Sequence, residues 1–187
     1  ERGFQVHLPW SNNNIYFDTA GCCDGALQRI NADVALFAGW TDATWWNDWH
    51  HFYVVKNGSN KQIWIDGVLF TEGENTGMLP TDIYQVRFGA ENNGVNMLHG
   101  QIDDAALFGT ALEEADIMAL AAGTAPDALA SSPTLVAYWP FEDAPATSEV
   151  AIGLDAEGNI VFTGVLQEAS EVTGPYVDRV DATSPFT

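Results

Sequence analysis

Positive charge is scarce in this chain: Arg2, Arg29, Lys56, Lys61, Arg87 and Arg179 stand against 26 acidic side chains among 187 residues, a formal net charge of −20. Nucleic acid is thereby excluded as a partner, because neutralising phosphates takes a basic patch that so few cations cannot assemble. Anionic membrane surfaces are disfavoured for the same reason, and no apolar run approaches the length that crosses a bilayer. The opening Glu1-Arg2-Gly3-Phe4 lacks a signal peptide's layout, so the chain reads as processed or excised. Cysteine is almost absent too. Cys22 and Cys23 are adjacent in a Gly-Cys-Cys-Asp-Gly turn, which rules out a long-range disulfide within the chain. The pair is either a vicinal disulfide or two thiols.

Catalytic signatures are missing as well. No Gly-x-Ser-x-Gly turn presents a serine nucleophile, and no strand carries the closely spaced carboxylate pair that retaining glycoside hydrolysis requires. His50 and His51 are consecutive, so on a strand they point to opposite faces and do not share a metal.

What is present suits one β domain. Hydrophobic residues make up 47% of the chain, enough for a core that needs no staples. Phe4, Val6 and Leu8 alternate with Gln5 and His7, the period of a strand with one buried face, and extended structure resumes at Ile15 after a polar turn, so residues 4–18 read as a hairpin. A second hairpin runs through residues 49–55 and 62–65 around Asn57-Gly58, and Asp66-Gly67 turns the chain again. Tyr84, Val86 and Phe88 alternate, residues 100–108 form a largely apolar strand, and 135–141 and 160–162 add two more. Thr110 and Glu113 form a capping box ahead of a helix near 111–122, which Gly123 ends.

Three blocks, taken in order, resemble the laminin-G-like and pentraxin-like branch of the concanavalin A-like lectin/glucanase superfamily. They are Trp49-His50-His51-Phe52 with the run from Lys61 to Asp66-Gly67, then Phe88-Gly89-Ala90-Glu91 leading to Gly100-Gln101-Ile102-Asp103-Asp104, then Leu107-Phe108-Gly109-Thr110-Ala111-Leu112 through Asp116-Ile117. Together they cover about residues 49–123. The resemblance implies an all-β, two-sheet antiparallel jelly-roll sandwich. Residues 135–141 resemble the phrase that usually opens such a domain, yet here they follow its body. That order leaves three readings: lost amino-terminal strands, a permuted fold, or a linker to another domain. The expected layout is a domain over 1–141, with an acidic segment over 142–187 that either completes the sandwich or leads to another domain.

The same resemblance implies calcium at a rim loop, held by the Glu91 and Asn93 side chains and the Asn92 carbonyl, with asparagine at 93 where the relatives carry aspartate. Sugar rings present apolar C–H faces that stack on aromatic rings. Trp45 and Trp46, in the polar stretch 42–48, are therefore expected as a loop platform, with Trp10 as a further stacking surface, whereas Trp49, Trp64 and Trp139 are expected in the core. A vicinal disulfide at Cys22-Cys23, flanked by Asp18 and Asp24, would add a rigid apolar knob against which a sugar could pack. Asp103 and Asp104 read as loop-holding, and Asp66 as a turn residue. Gln5-x-His7 and Tyr16-Phe17 are similar to strand motifs of jelly-roll alginate lyases, but Asp18 stands where their lysine would be and the motifs lie too close together.

The leading expectation is a non-catalytic extracellular or cell-surface module for a polysaccharide or glycan. The alternative is a structural module of an adhesin or filament that exchanges strands with copies of itself or neighbouring domains. A lyase or glycosidase comes third.

Overall fold

The computed structural model describes residues 3–83, 85–90, 95–130 and 134–142, together with 152–154, 156–157, 159–162, 167–168 and 177–178. The chain divides into two units, Glu1–Phe141 and Glu142–Thr187. In the second, β9 (Ile152–Leu154) pairs antiparallel with β10 (Ile160–Phe162), and β11 (Gln167–Glu168) with β12 (Val177–Asp178). In the first, β1 (Phe4–His7), β2 (Asn14–Thr19) and β3 (Arg29–Asp33) form one antiparallel sheet. A second holds β4 (Phe52–Asn57), β5 (Asn60–Ile65) and β6 (Val68–Glu74). A third pairs β7 (Ala105–Phe108) with β8 (Leu135–Trp139), and α1 (Glu114–Ala121) lies between those two strands in sequence. The described strands are thus mostly β with one short helix, in separate antiparallel sheets rather than two continuous ones.

Alternation along β5 organises the first unit. Ile63 and Ile65 point to one side, where they join Ile15, Phe17, Ile30, Val34, Phe37 and Trp45 in a core against the first sheet. Trp64 points to the other and meets Tyr53, Leu112, Ile117 and Leu129 beneath α1. Each fully buried isoleucine contributes about 1.5–3 kcal/mol. In β6 the register slips between the pairs Ile63↔Thr71 and Trp64↔Leu69. The extra residue, Phe70, packs on the first core and meets Phe37 edge-on at 6.0 Å.

One core position is a cation. Lys61 is fully buried on the first-sheet side of β5, and its ammonium donates to the Phe17 carbonyl at 2.6 Å and the Gln28 carbonyl at 2.7 Å, 4.2 Å from the centre of the Phe17 ring. It ties the two sheets together. Burial lowers its pKa to about 8, while Asp18 pulls the other way. The folded state therefore binds fewer protons than the unfolded chain between about pH 8 and the ordinary lysine range, and stability rises with pH across that window by at most about 3 kcal/mol. Lys61→Met is expected to remove this rise. Denaturant melts at pH 7.5 and pH 10 check it, and a rise equal to wild type would show that the buried ammonium is not its source.

Some expectations do not hold. The helix starts later than the capping box places it: Glu113 is the N-cap, with no side-chain bond to the helix, and Glu114–Ala121 is helical. The reason is tertiary, since the Tyr53 hydroxyl accepts the Leu112 amide at 2.9 Å and Leu112 enters the second core, keeping residues 110–113 out of the helix. The C-terminus closes as expected. Gly123 has φ +91°, its amide donates to Leu120 O at 2.9 Å, and the Thr124 amide donates to Ala119 O at 3.0 Å, a complete Schellman motif.

Residues 85–90 contain no strand, and of the apolar run 100–108 only Ala105–Phe108 is one. Asp104 sits at φ +49° and accepts the Tyr138 hydroxyl, while Asp103 Oδ1 accepts the Asp104 amide at 2.9 Å. The two aspartates lie in irregular backbone ahead of β7 rather than on a strand, and Asp104 is tied to β8 through the Tyr138 hydroxyl. Trp64 is buried and Trp139 half-buried, but Trp49 is 64% exposed. It falls between the 3-10 turn Ala43–Asn47 and β4, where Trp45 takes the core place instead.

Candidate functional site

Trp45 and Trp46 do not form a loop platform. The polar residues around them cap a 3-10 turn: Asp42 Oδ1 accepts the Thr44 amide and hydroxyl at 2.8 and 2.6 Å, bonds that hold its pKa below the usual carboxylate range. That turn rotates Trp45 inward to 7% exposure, stacked on His50 at 3.4 Å with Phe37 and Trp40 around it. His50 is itself fixed, with Nδ1 2.8 Å from Asp66 Oδ2 and Nε2 2.9 Å from the Trp45 carbonyl. Trp46 is half-buried and lies nearly parallel to Phe52 at 6.0 Å. These rings are core. Asp66, with φ +51°, holds its turn through the His51 amide at 2.8 Å, as expected.

A different set of residues gathers on the outer face of β1–β3. Because Phe4, Val6, Ile15, Phe17 and Ile30 face the core, alternation sends Gln5, His7, Asn14, Tyr16, Asp18, Arg29 and Asn31 to the other side. Register sets His7 opposite Tyr16, Tyr16 opposite Asn31, and Asp18 opposite Arg29. Gln5 Nε2 donates to His7 Nε2 at 2.6 Å. His7 lies 4.6 Å from Trp10 and edge-on to Tyr16 at 6.1 Å, so three rings follow one another across the sheet end.

Trp10 is 36% exposed, and its loop is closed on the sheet. Its amide donates to Asn14 O at 2.8 Å, Asn13 donates back to its carbonyl at 2.9 Å, and Asn13 Nδ2 donates to Asp33 Oδ1 at 2.9 Å. Such anchoring lowers the ordering cost of binding. Asn12 Nδ2 donates to the Tyr16 hydroxyl at 2.6 Å, and Asn31 Nδ2 to Asn14 Oδ1 at 2.9 Å. Asn12 and Asn31 are both exposed at the edge of the rings, and Asn12 Oδ1 accepts the Asn14 amide at 3.2 Å.

Arg29 ends this face. Its Nε and Nη2 each donate at 2.6 Å to the carboxylate of Asp18, which is fully buried, and its guanidinium sits 4.3 Å over the Tyr16 ring. The bonds to Asp18 raise its already high pKa against the opposing effect of partial burial. Nη2 also reaches Cys22 Sγ at 3.5 Å. Cys22 and Cys23 are joined in a vicinal disulfide, so the knob stands at the Arg29 end of the face. Intact mass is expected to rise by a pair of hydrogens on reduction, with no alkylation beforehand; full alkylation without reductant would contradict the bond. Asp24 is occupied differently, its Oδ1 accepting the Ala26 and Leu27 amides at 2.8 and 3.0 Å as a turn cap.

The expected calcium residues Glu91, Asn92 and Asn93 lie outside the described residues. Among the described residues no group of three or more His, Cys, Asp or Glu side chains is arranged to hold a metal, and no helix is long and apolar enough to cross a membrane. His7, Tyr16, Asn31 and Arg29 are the face residues the sequence reading did not single out for binding. The available signal was polar alternation along β1 and β2.

A family model described as the concanavalin A-like lectin/glucanases superfamily, Laminin_G_3, matches residues 3–118, well over half of the chain. The chain belongs to this family. The match covers the whole β1–β3 face as well as the second sheet, extending the recognisable domain well ahead of residue 49. The family implies a jelly roll. Among solved structures, residues 221–444 of an S-layer domain-containing protein from Clostridium thermocellum are similar at 23% identity and a TM-score of 0.36. The alignment covers 64% of this chain and 63% of that one, so the chain spans less than two thirds of that structure. The comparison with curated proteins finds no match.

Proposed function

We propose that this domain is an extracellular glycan-recognition module that holds its sugar on the outer face of β1–β3 and does not transform it. One observation carries the reading: Trp10, His7 and Tyr16 form a row of rings on a hydrogen-bonded loop and sheet, edged by exposed asparagine carboxamides. Aromatic faces for C–H surfaces and fixed polar groups for hydroxyls are what sugar binding uses. Binding without catalysis is supported by how the polar groups are occupied. The Tyr16 hydroxyl accepts from Asn12, and Asp18 holds Arg29 through two bonds, so the groups nearest the rings are committed to one another rather than poised for proton transfer. The vicinal disulfide favours an oxidising, extracellular setting.

Self-assembly through strand exchange has less support, because the segment that motivated it, Leu135–Trp139, pairs with Ala105–Phe108 of its own chain. A glycan array tests the proposal. Binding is expected for wild type and for a Trp49→Ala control, and lost in Trp10→Ala; equal binding by all three would put the site elsewhere.

A further inference from the structure

We infer that the ligand of the Trp10–His7–Tyr16 face is an uncharged glycan, and that the face discriminates against uronate-bearing and sulfated polysaccharides. This rests on the glycan-binding reading above and names its substrate class. Recognition of an anionic sugar takes an available cation, most effectively an arginine fork. On this face the cation is Arg29, and it is already neutralised: two of its nitrogens lie 2.6 Å from Asp18, a carboxylate shielded from water, and one of these also reaches Cys22 Sγ. A ligand carboxylate approaching the guanidinium would meet the Asp18 charge at nearly the same place.

The described lysines do not take over that role. Lys61 is fully buried on the core side, and Lys56 donates to the Asn75 carbonyl at 2.7 Å. With Asp18 and Arg29 offsetting one another, the remaining charge of the face is the Asp33 carboxylate on β3, with Asp24 in the turn between β2 and β3. Over the whole chain the balance is −20, a field that lowers the local concentration of any polyanion. The groups this face exposes beside the rings are neutral: the Trp10 ring and the Asn12 and Asn31 carboxamides.

The test is a binding panel on the unmodified chain and on Trp10→Ala. It uses neutral polysaccharides (a β-glucan, a galactan, a mannan) beside a polyuronate and a sulfated galactan, each at low and moderate salt. At least one neutral polysaccharide is expected to bind through Trp10, with the acidic ones at least tenfold weaker and gaining on it as salt screens the repulsion. An acidic polysaccharide that binds through Trp10 as tightly as any neutral one, and weakens with salt, overturns the inference while leaving glycan binding intact. Failure of both classes overturns it together with the reading beneath it.

Discussion

Asp18→Ala is expected to lower the stability of the first unit by about 3 kcal/mol, because it strips a fully buried carboxylate from a cation it holds at 2.6 Å through two bonds. The Arg29 side chain is 20% exposed, so water can relieve part of the loss and keep it at the lower end of the range for broken buried pairs. In a melt this appears as a fall of roughly 10 °C. The double variant Asp18→Ala/Arg29→Met is expected to recover most of that fall, since removing both partners leaves no buried charge unpaired. A loss below about 1 kcal/mol in the single variant would place the pair with exposed surface ion pairs instead.

The second large effect concerns binding. Trp10→Ala is expected to weaken the affinity for the best-bound glycan by about 2 kcal/mol, roughly thirtyfold, as for a tryptophan at the centre of a contact. The unfolding midpoint should move little, because Trp10 is 36% exposed and its loop is held by backbone bonds and by Asn13. Trp45→Ala should show the opposite pattern. Its ring fills the first core beside Phe37 and His50, so truncation costs about 3–5 kcal/mol of stability. Parallel affinity and melting measurements on the two variants separate a surface ring from a core ring.

The hairpins of β1–β2 and β4–β5 are legible in the sequence because alternation and turn residues agree there, as in Phe4-Gln5-Val6-His7 and around Asn57-Gly58. The helix begins after Glu113 rather than after Thr110 because Thr110 and Glu113 satisfy a local rule that the Tyr53 hydroxyl overrides from far away in sequence. Trp45 and Trp49 take each other's expected places for a related reason. Polar neighbours such as Asp42 read as a solvent-facing loop, but the carboxylate is spent capping a turn that buries the ring.

The candidate site was half visible. Gln5, His7 and Tyr16 stand out as polar positions in apolar strands, yet only the register His7↔Tyr16 and Asp18↔Arg29 shows that they share one face with Trp10. A single sequence carries no cross-strand register, and Arg29 in particular looks like an isolated cation until Asp18 is placed beneath it.

The most direct test of the β1–β3 face is a titration of isotope-labelled protein with the best-bound glycan, followed through the tryptophan indole and histidine ring resonances. The Trp10 indole and the His7 ring are expected to shift first and saturate together, while the Trp45 indole, enclosed in the core, stays unmoved. Early shifts at Trp45 or Trp49 with Trp10 unchanged would contradict the assignment and move the site off this face.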